Sequence, residues 1–288
     1  MRGREPNNMQ RIRTLTAATM LMFAPFMVQA QPISASRIAE IIASPDRSAA
    51  DRANDIRRKP SQMLAFLAIK PGITALDVSA AGGYTTELLA RAVGPTGTVY
   101  GQNRPRDPAR PLPTPAAPEG NSNPSAAPAP APAPTGARPV PVTLADRDGN
   151  LRKTGNGAPI IAVTRPFEDA APPELTGKVD LVTLMFNYHD LGWMGVDRAA
   201  MNAAVFRALK PGGVFVLADH AGRPGTGISE SGTLHRIEPA FLRREIEAAG
   251  FKLLAEADFL ANPNDPKDKN TPDPAQPKDE YVVKFIKP

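Results

Sequence analysis

The sequence predicts an α/β protein, a doubly wound and mostly parallel sheet closed by a C-terminal antiparallel strand pair. Three observations predict it. From Ile73 to Thr86 a short apolar run ends in Asp77 and gives way to a small-residue turn and then a helical pattern, which is how a parallel sheet delivers a tight loop to a ligand. Far downstream, Leu209-Lys-Pro-Gly-Gly-Val-Phe-Val-Leu217 reads as a helix end, a Pro-Gly-Gly turn and a buried strand. Between and beyond these segments, strand patterns alternate with helical ones until two strands finish the chain.

The elements follow in order. Ile38, Ile41 and Ile42, then Met63, Leu64, Phe66 and Leu67, give helical spacing over 35–67, broken near Ser44-Pro45 and Lys59-Pro60, so two or three helices are expected there. Thr74 to Val78 is a strand. Thr85 or Thr86 is expected to cap a helix with Leu88, Leu89 and Ala92 inward that ends at Gly94-Pro95. Thr98 to Tyr100 is the second strand, and Ile160 to Val163 the third. Val179 to Phe186 is the longest apolar run of strand character, which belongs at the centre of the sheet. Asp197 caps a helix with Ala200, Met201, Ala204, Val205 and Leu209 inward. Val214 to Ala218 is the fifth strand, and a helix opening on Pro239 carries Leu242, Ile246 and Ala249 on one face and stops at Gly250. Phe251 to Ala257 and Tyr281 to Ile286 make the final pair.

Between Arg104 and Pro139 lie 12 of the 33 prolines, including the alternating Ala-Pro run from Ala127 to Pro134. A stretch without apolar periodicity cannot bury a core, so 104–139 reads as a disordered Pro/Ala-rich insert after the second strand. At the other end, Arg11-Ile-Arg13, an apolar stretch from Leu15 to Val28 and the small-x-small sequence Val28-Gln-Ala30 form a signal-peptide pattern over 1–30, with cleavage expected after Ala30. Residues 31–288 are then one domain, periplasmic or secreted. The alternative is a membrane anchor formed by an uncleaved N-terminus, which the short apolar stretch with Pro25 disfavours. The chain has no cysteine, and its net charge of +5 owes much to Arg2, Arg4, Arg11 and Arg13. That leaves no domain-wide basic footprint for nucleic acid. The oligomeric state is not legible.

The Asp77 turn together with Leu-Lys-Pro-Gly-Gly resembles the class I S-adenosylmethionine-dependent methyltransferases. The wider pattern is similar to a bacterial group of predicted methyltransferases with exported-looking N-termini. It is carried by Arg57-Arg-Lys-Pro60, Asn187-Tyr-His-Asp190, Ala218-Asp-His220 and Thr233-Leu-His-Arg236. The resemblance implies a Rossmann-like sheet, S-adenosyl-L-methionine as cofactor and a small methyl acceptor. Aligned on Asp77, the family's three glycines fall at Ser79, Ala81 and Gly83, so only the last is kept, with Gly82 beside it. By the same resemblance Asp77 accepts from the ligand's ammonium, and the Gly82 and Gly83 amides line it. Gln102 and Asn103 stand where an acidic residue usually takes the ribose, and Phe167 and Glu168 where the adenine rests.

Asn187-Tyr188-His189-Asp190 ends the fourth strand, where an open α/β sheet places ligand-binding groups. Asn187 is expected to hold ligand, His189 to act as a base and Asp190 to orient it, with Tyr188, His220 and His235 on the substrate side. The loop from Gly222 to Gly232 is expected to cover the pocket. No metal is expected, because the spacing of His189, His220 and His235 matches no zinc motif and no helical His pair exists. A metal-dependent hydrolase is the weakest alternative. The stronger one is an exported, non-catalytic ligand-binding protein on a degenerate methyltransferase scaffold, which the lost glycines and the missing ribose acid favour.

Overall fold

Seven strands form one sheet in the order β3-β2-β1-β4-β5-β7-β6. The computed structural model describes Met1, Gly3 and residues 31–105, 142–270, 272 and 276–288. Nearly all of the expected leader and most of the expected insert therefore lie outside the described residues. The chain divides into two units, Met1–Ala30 and Gln31–Pro288, and the fold is that of the second. Among the described residues, no helix is long and apolar enough to cross a membrane.

β1 (Thr74–Val78) pairs in parallel with β2 (Thr98–Asn103) on one side and β4 (Val179–Met185) on the other. β3 (Ile160–Thr164) extends the sheet beyond β2, and β5 (Leu209–His220) beyond β4, both in parallel. β7 (Glu280–Ile286) runs antiparallel between β5 and β6 (Lys252–Ala257). The chain winds outward from β1 in one direction and then returns to β4, so the β1/β4 boundary is the switch point at which an open sheet binds ligands. Parallel strands bring Val78, Asn103, Met185 and His220 to the same edge.

Helices cover both faces. On one, α1 (Ala35–Ala43), α3 (Pro60–Leu67), α4 (Tyr84–Val93) and α5 (Leu144–Thr154) pack Ile41, Leu64, Leu89 and Leu151 onto Ala75, Val99 and Val216. On the other, α7 (Arg198–Ala208) and α8 (Pro239–Ala248) pack Met201, Val205, Leu242 and Ile246 onto Leu76, Val182, Phe215 and Phe285. Alternate strand residues serve alternate faces, as the period of 2 requires. The remaining helices are α2 (Ala49–Arg58) and the single turn α6 (Asp190–Trp193). Asp197 caps α7 by accepting from the Ala200 amide, as its position suggested.

Three local expectations change. α4 begins at Tyr84 behind Gly83, which has φ +81°, and not behind a threonine cap. Thr86 is unavailable for capping because its hydroxyl donates to Asp77. Leu209 both caps α7, its amide donating to the Val205 carbonyl, and opens β5 in register with Val179, so the fifth strand starts five residues earlier than the expected Val214. α5 was not expected at all. Its start is a capping box between Thr143 and Asp146, but only Leu144 and Leu151 carry its apolar face. Its third buried residue is Arg147, a charge that periodicity counts as solvent-facing.

Arg147 explains how α5 is held. Its guanidinium pairs with Asp51 on α2 and Glu87 on α4, and its Nε donates to the Gly82 carbonyl. Glu87 also pairs with Arg91, which reaches Asp46. The charges are largely buried and every one has a partner, so this network binds α2, α4 and α5 around the turn that leaves β1.

Candidate functional site at the sheet edge

The turn after β1 keeps the backbone shape of a glycine loop without the glycines. Ser79 has φ +60°, Ala81 +49° and Gly83 +81°. The left-handed region costs roughly 1–2 kcal/mol for a residue with a Cβ, so two of these three residues hold a strained conformation that their surroundings impose. The surroundings are visible. The Ser79 amide donates to Gln102 Oε1 (3.0 Å), the Ala81 amide to Asn103 Oδ1 (2.8 Å), and Ser79 Oγ to Asn187 Oδ1 (2.6 Å). Ala81 and Gly82 are exposed, so the Ala81 methyl fills no cavity.

Several expected roles do not match the geometry. Asp77 is 2 % exposed, and its two oxygens accept from Thr86 (2.6 Å) and Thr183 (2.7 Å). It pins β1 to α4 and β4 and does not face a ligand. Burial pushes its carboxyl up to about 6, against the two hydroxyl donors and the Arg58 charge. Gln102 is fully committed, since its Nε2 donates to the Arg165 carbonyl (2.6 Å). Asn103 returns its Nδ2 to the Ala81 carbonyl (3.2 Å). The strand end assigned to ribose therefore splints the turn. Phe167 belongs to the core beneath α7, and Glu168 accepts from the Asp197 amide (3.3 Å), so neither is presented as an adenine subsite.

A cleft does open beside the turn. It is lined by Arg58, Pro60, Met63, Tyr84, Met185 and Phe186, among others. The Arg58 guanidinium lies 3.9 Å from the centre of the Phe186 ring, a cation–π arrangement. Burial and the neighbouring Arg57 lower its pKa to about 10, the signature of a cation whose charge is incompletely compensated. Phe186 itself has φ +59°, where the chain leaves β4. Sequence reasoning noticed Arg57-Arg58 only as part of a family pattern. Nothing in the spacing said that Arg58 would turn inward.

Beyond β4 and β5 the three histidines gather. His189 is 3 % exposed; its Nδ1 lies 2.5 Å from Asp219 Oδ1 and its Nε2 3.0 Å from Asp190 Oδ1. Its amide also donates to Asp219 Oδ2 (2.8 Å). Desolvation opposes protonation, but the two carboxylates outweigh it and raise the imidazole to about 9. At neutral pH His189 is thus a proton donor with both nitrogens engaged, and the expected role of general base does not fit. Asp190, held well below the usual carboxylate range by His189, Trp193 and His235 despite its burial, does sit against His189. The two meet although adjacent in sequence because the chain has already turned into α6.

His235 Nδ1 lies 2.8 Å from the same Asp190 oxygen. His220 packs between Phe186 and His189, with ring centres 5.8 and 5.2 Å away. Burial pushes its pKa down to about 2, so it is neutral. Asn187 has no free end: its Oδ1 takes Ser79 Oγ and its Nδ2 donates to Asp190 Oδ2 (2.8 Å). It ties the turn to the histidine cluster. Tyr188 points into the opposite layer, donating to Glu245 (2.9 Å) and accepting from Asn202 (2.9 Å), and is no substrate contact. The glycine-rich loop packs on α6, with Ile228 and Ser231 against Gly192, and not over the cleft. Asp219, fully buried, is the member of the cluster that figures in the sequence only within the Ala218-Asp-His220 pattern, with no role assigned to it. Its place beside His220 at the end of an apolar strand was the available signal.

No protein-family model matches the chain, and no curated protein matches it in sequence. Solved structures do match. A SAM-dependent methyltransferase from Aquifex aeolicus aligns over 89 % of this chain and 100 % of its own, with 15 % identity and a TM-score of 0.50. The putative methyltransferase solved with the Trm112 methyltransferase activator of Haloferax volcanii aligns over 83 % and 93 %, with 16 % identity and a TM-score of 0.50. At that identity the likeness establishes the fold: a Rossmann-like α/β sheet of the class I methyltransferase type with a C-terminal antiparallel pair.

Proposed function

We propose that this chain is an S-adenosyl-L-methionine-dependent methyltransferase acting on a small acceptor. The observation that carries the reading is the β1–α4 turn, which adopts left-handed backbone at Ser79, Ala81 and Gly83 at the switch point of the sheet. Two side chains there bear strain that a plain connection would relax. In this reading the neighbouring cleft receives one end of the cofactor. Arg58 offers a cation to a carboxylate, and Met185 and Phe186 offer apolar surface to the chain that follows it. The nucleoside end is supported less directly, because Gln102 and Asn103 are spent on the turn.

When bound, the cofactor supplies an electrophilic methyl group that moves by in-line displacement. The protein's part is orientation. Arg58 and the turn fix the ligand, Phe186 excludes water, and His189, whose Nδ1 and Nε2 are engaged by Asp219 and Asp190, takes no proton from the acceptor. Export through residues 1–30 belongs to the same proposal. N-terminal sequencing of the chain recovered from the periplasm is expected to begin at Gln31, and a start at Met1 in the membrane fraction overturns it.

Isothermal titration of S-adenosyl-L-methionine into the full chain tests the cofactor. Saturable binding is expected, weakened about 10-fold in Arg58→Met, as befits one charge-assisted hydrogen bond. No heat up to about 1 mM ligand removes the enzyme reading. A specific observation favours the second reading, a non-catalytic ligand-binding protein: Asp77, Gln102 and Asn103 are all satisfied internally. That result would leave it standing.

A further inference from the structure

We infer that His189, Asp190 and His235 form a binding site for a divalent transition-metal ion, an assignment that goes beyond the methyl-transfer reading and does not rest on it. One ligand atom from each of the three residues falls within 4.8 Å of the others. Two ring nitrogens from distant parts of the chain, His189 Nε2 at 3.0 Å and His235 Nδ1 at 2.8 Å, converge on the single oxygen Asp190 Oδ1. Ligands about 2.0–2.1 Å from an ion stand roughly 2.9–3.3 Å apart, so only a small outward movement is needed to admit one.

The outer contacts are those a metal site requires. Asp219, with no exposed surface, faces His189 Nδ1 at 2.5 Å. This carboxylate–histidine pair places the hydrogen on Nδ1 and aims Nε2 at the ion position. Asp190 is oriented through its other oxygen by Asn187 Nδ2 (2.8 Å), while Trp193 Nε1 donates to Oδ1 (2.9 Å). His235 is held at φ +52°, a strained conformation for a residue with a Cβ, and the loop preceding it is packed onto α6 through Gly192 and Gly232. His189 is buried, whereas Asp190 and His235 are partly exposed, so an ion has a route in and keeps positions open toward solvent. Three protein ligands with open positions describe a site that takes water or an oxygen ligand, not a closed structural centre. As the ion entered, His189 would release its Nε2 hydrogen to solvent and keep the one on Nδ1, and His235 would ligate through Nδ1 as the neutral tautomer with its hydrogen on Nε2.

The test uses the full chain, freed of metal by dialysis against a chelator and titrated with Zn²⁺ by calorimetry and with Co²⁺ by visible absorption. One ion per chain is expected, with Co²⁺ d–d bands and a rise in the thermal midpoint on adding Zn²⁺. His235→Ala changes a partly exposed ligand and is expected to keep its circular dichroism spectrum while binding at least about 10-fold more weakly. Asp219→Asn, which touches no ion, is expected to weaken binding about 10–100-fold. Binding that His235→Ala leaves unchanged, or a thermal midpoint that Zn²⁺ does not move, overturns the assignment and leaves a hydrogen-bonded cluster only. Loss of S-adenosyl-L-methionine binding alone has no bearing on it.

Discussion

The two halves of the sheet's carboxyl edge solve the same problem differently. At the β1/β2 end, Asp77, Gln102 and Asn103 turn every polar atom toward the protein's own backbone and hydroxyls, and the product is a rigid turn. At the β4/β5 end, Asp190, Asp219, His189 and His235 turn toward one another, leaving Asp190 and His235 partly exposed. Buried polar groups must find partners in either case. Backbone partners fix a shape, whereas side-chain partners can be exchanged for a ligand.

The comparison breaks most sharply at Asp219. Asp219→Ala leaves His189 buried beside only one carboxylate and its amide without an acceptor, and is expected to cost about 3–5 kcal/mol in urea unfolding. A loss under about 1 kcal/mol would show that the cluster contributes little to the fold.

On the other half, Asp77 sets a pH dependence. Its folded pKa, about 6, lies above the ordinary 3.8 because of burial, so the folded state binds the proton more tightly. The contribution of Asp77 to stability is then fully present below pH 3.8 and is lost, by an amount on the order of 3 kcal/mol, as pH rises through 6. Asp77→Asn is expected to flatten that slope in denaturant midpoints measured from pH 4 to 7, and an unchanged slope would assign it to other groups. Gln102→Met strands the Ser79 amide and the Arg165 carbonyl and is expected to cost about 2 kcal/mol, with S-adenosyl-L-methionine affinity falling as the turn loosens.

The smallest effect has the opposite sign. Ala81→Gly relieves roughly 1–2 kcal/mol of left-handed strain and adds about 0.4–1 kcal/mol of unfolded-state entropy. A net gain of about 0.5 kcal/mol is expected, without loss of S-adenosyl-L-methionine binding, because Ala81 is exposed. Destabilisation would mean that the turn needs its methyl.

The strands were the most legible part of the chain. β1 runs from Thr74 to Val78 as the apolar pattern indicates, since a run buried on both faces has few other ways to satisfy its backbone. α5 was illegible because ion pairs bury Arg147, and pattern analysis reads a charge as exposed. The candidate site was legible as a place and much less so as a set of roles. Asn187 through Asp190 do stand at the sheet edge, but Tyr188 faces α8 and Asn187 is consumed by Ser79 and Asp190. Direction depends on how the chain leaves the strand, and here it does so through a left-handed Phe186.

By itself the sequence determined which segments could bury apolar surface, and therefore the alternation of strands and helices and the edge at which polar residues collect. Only the tertiary structure decided what those residues meet. It brought Asp219 to His189 and His235 to Asp190, 45 positions away, and it spent Gln102 on a backbone amide. Hydrophobic pattern is a property of neighbouring residues along the chain, whereas a hydrogen-bond partner or a shared proton is chosen by distances that exist only once the layers have packed.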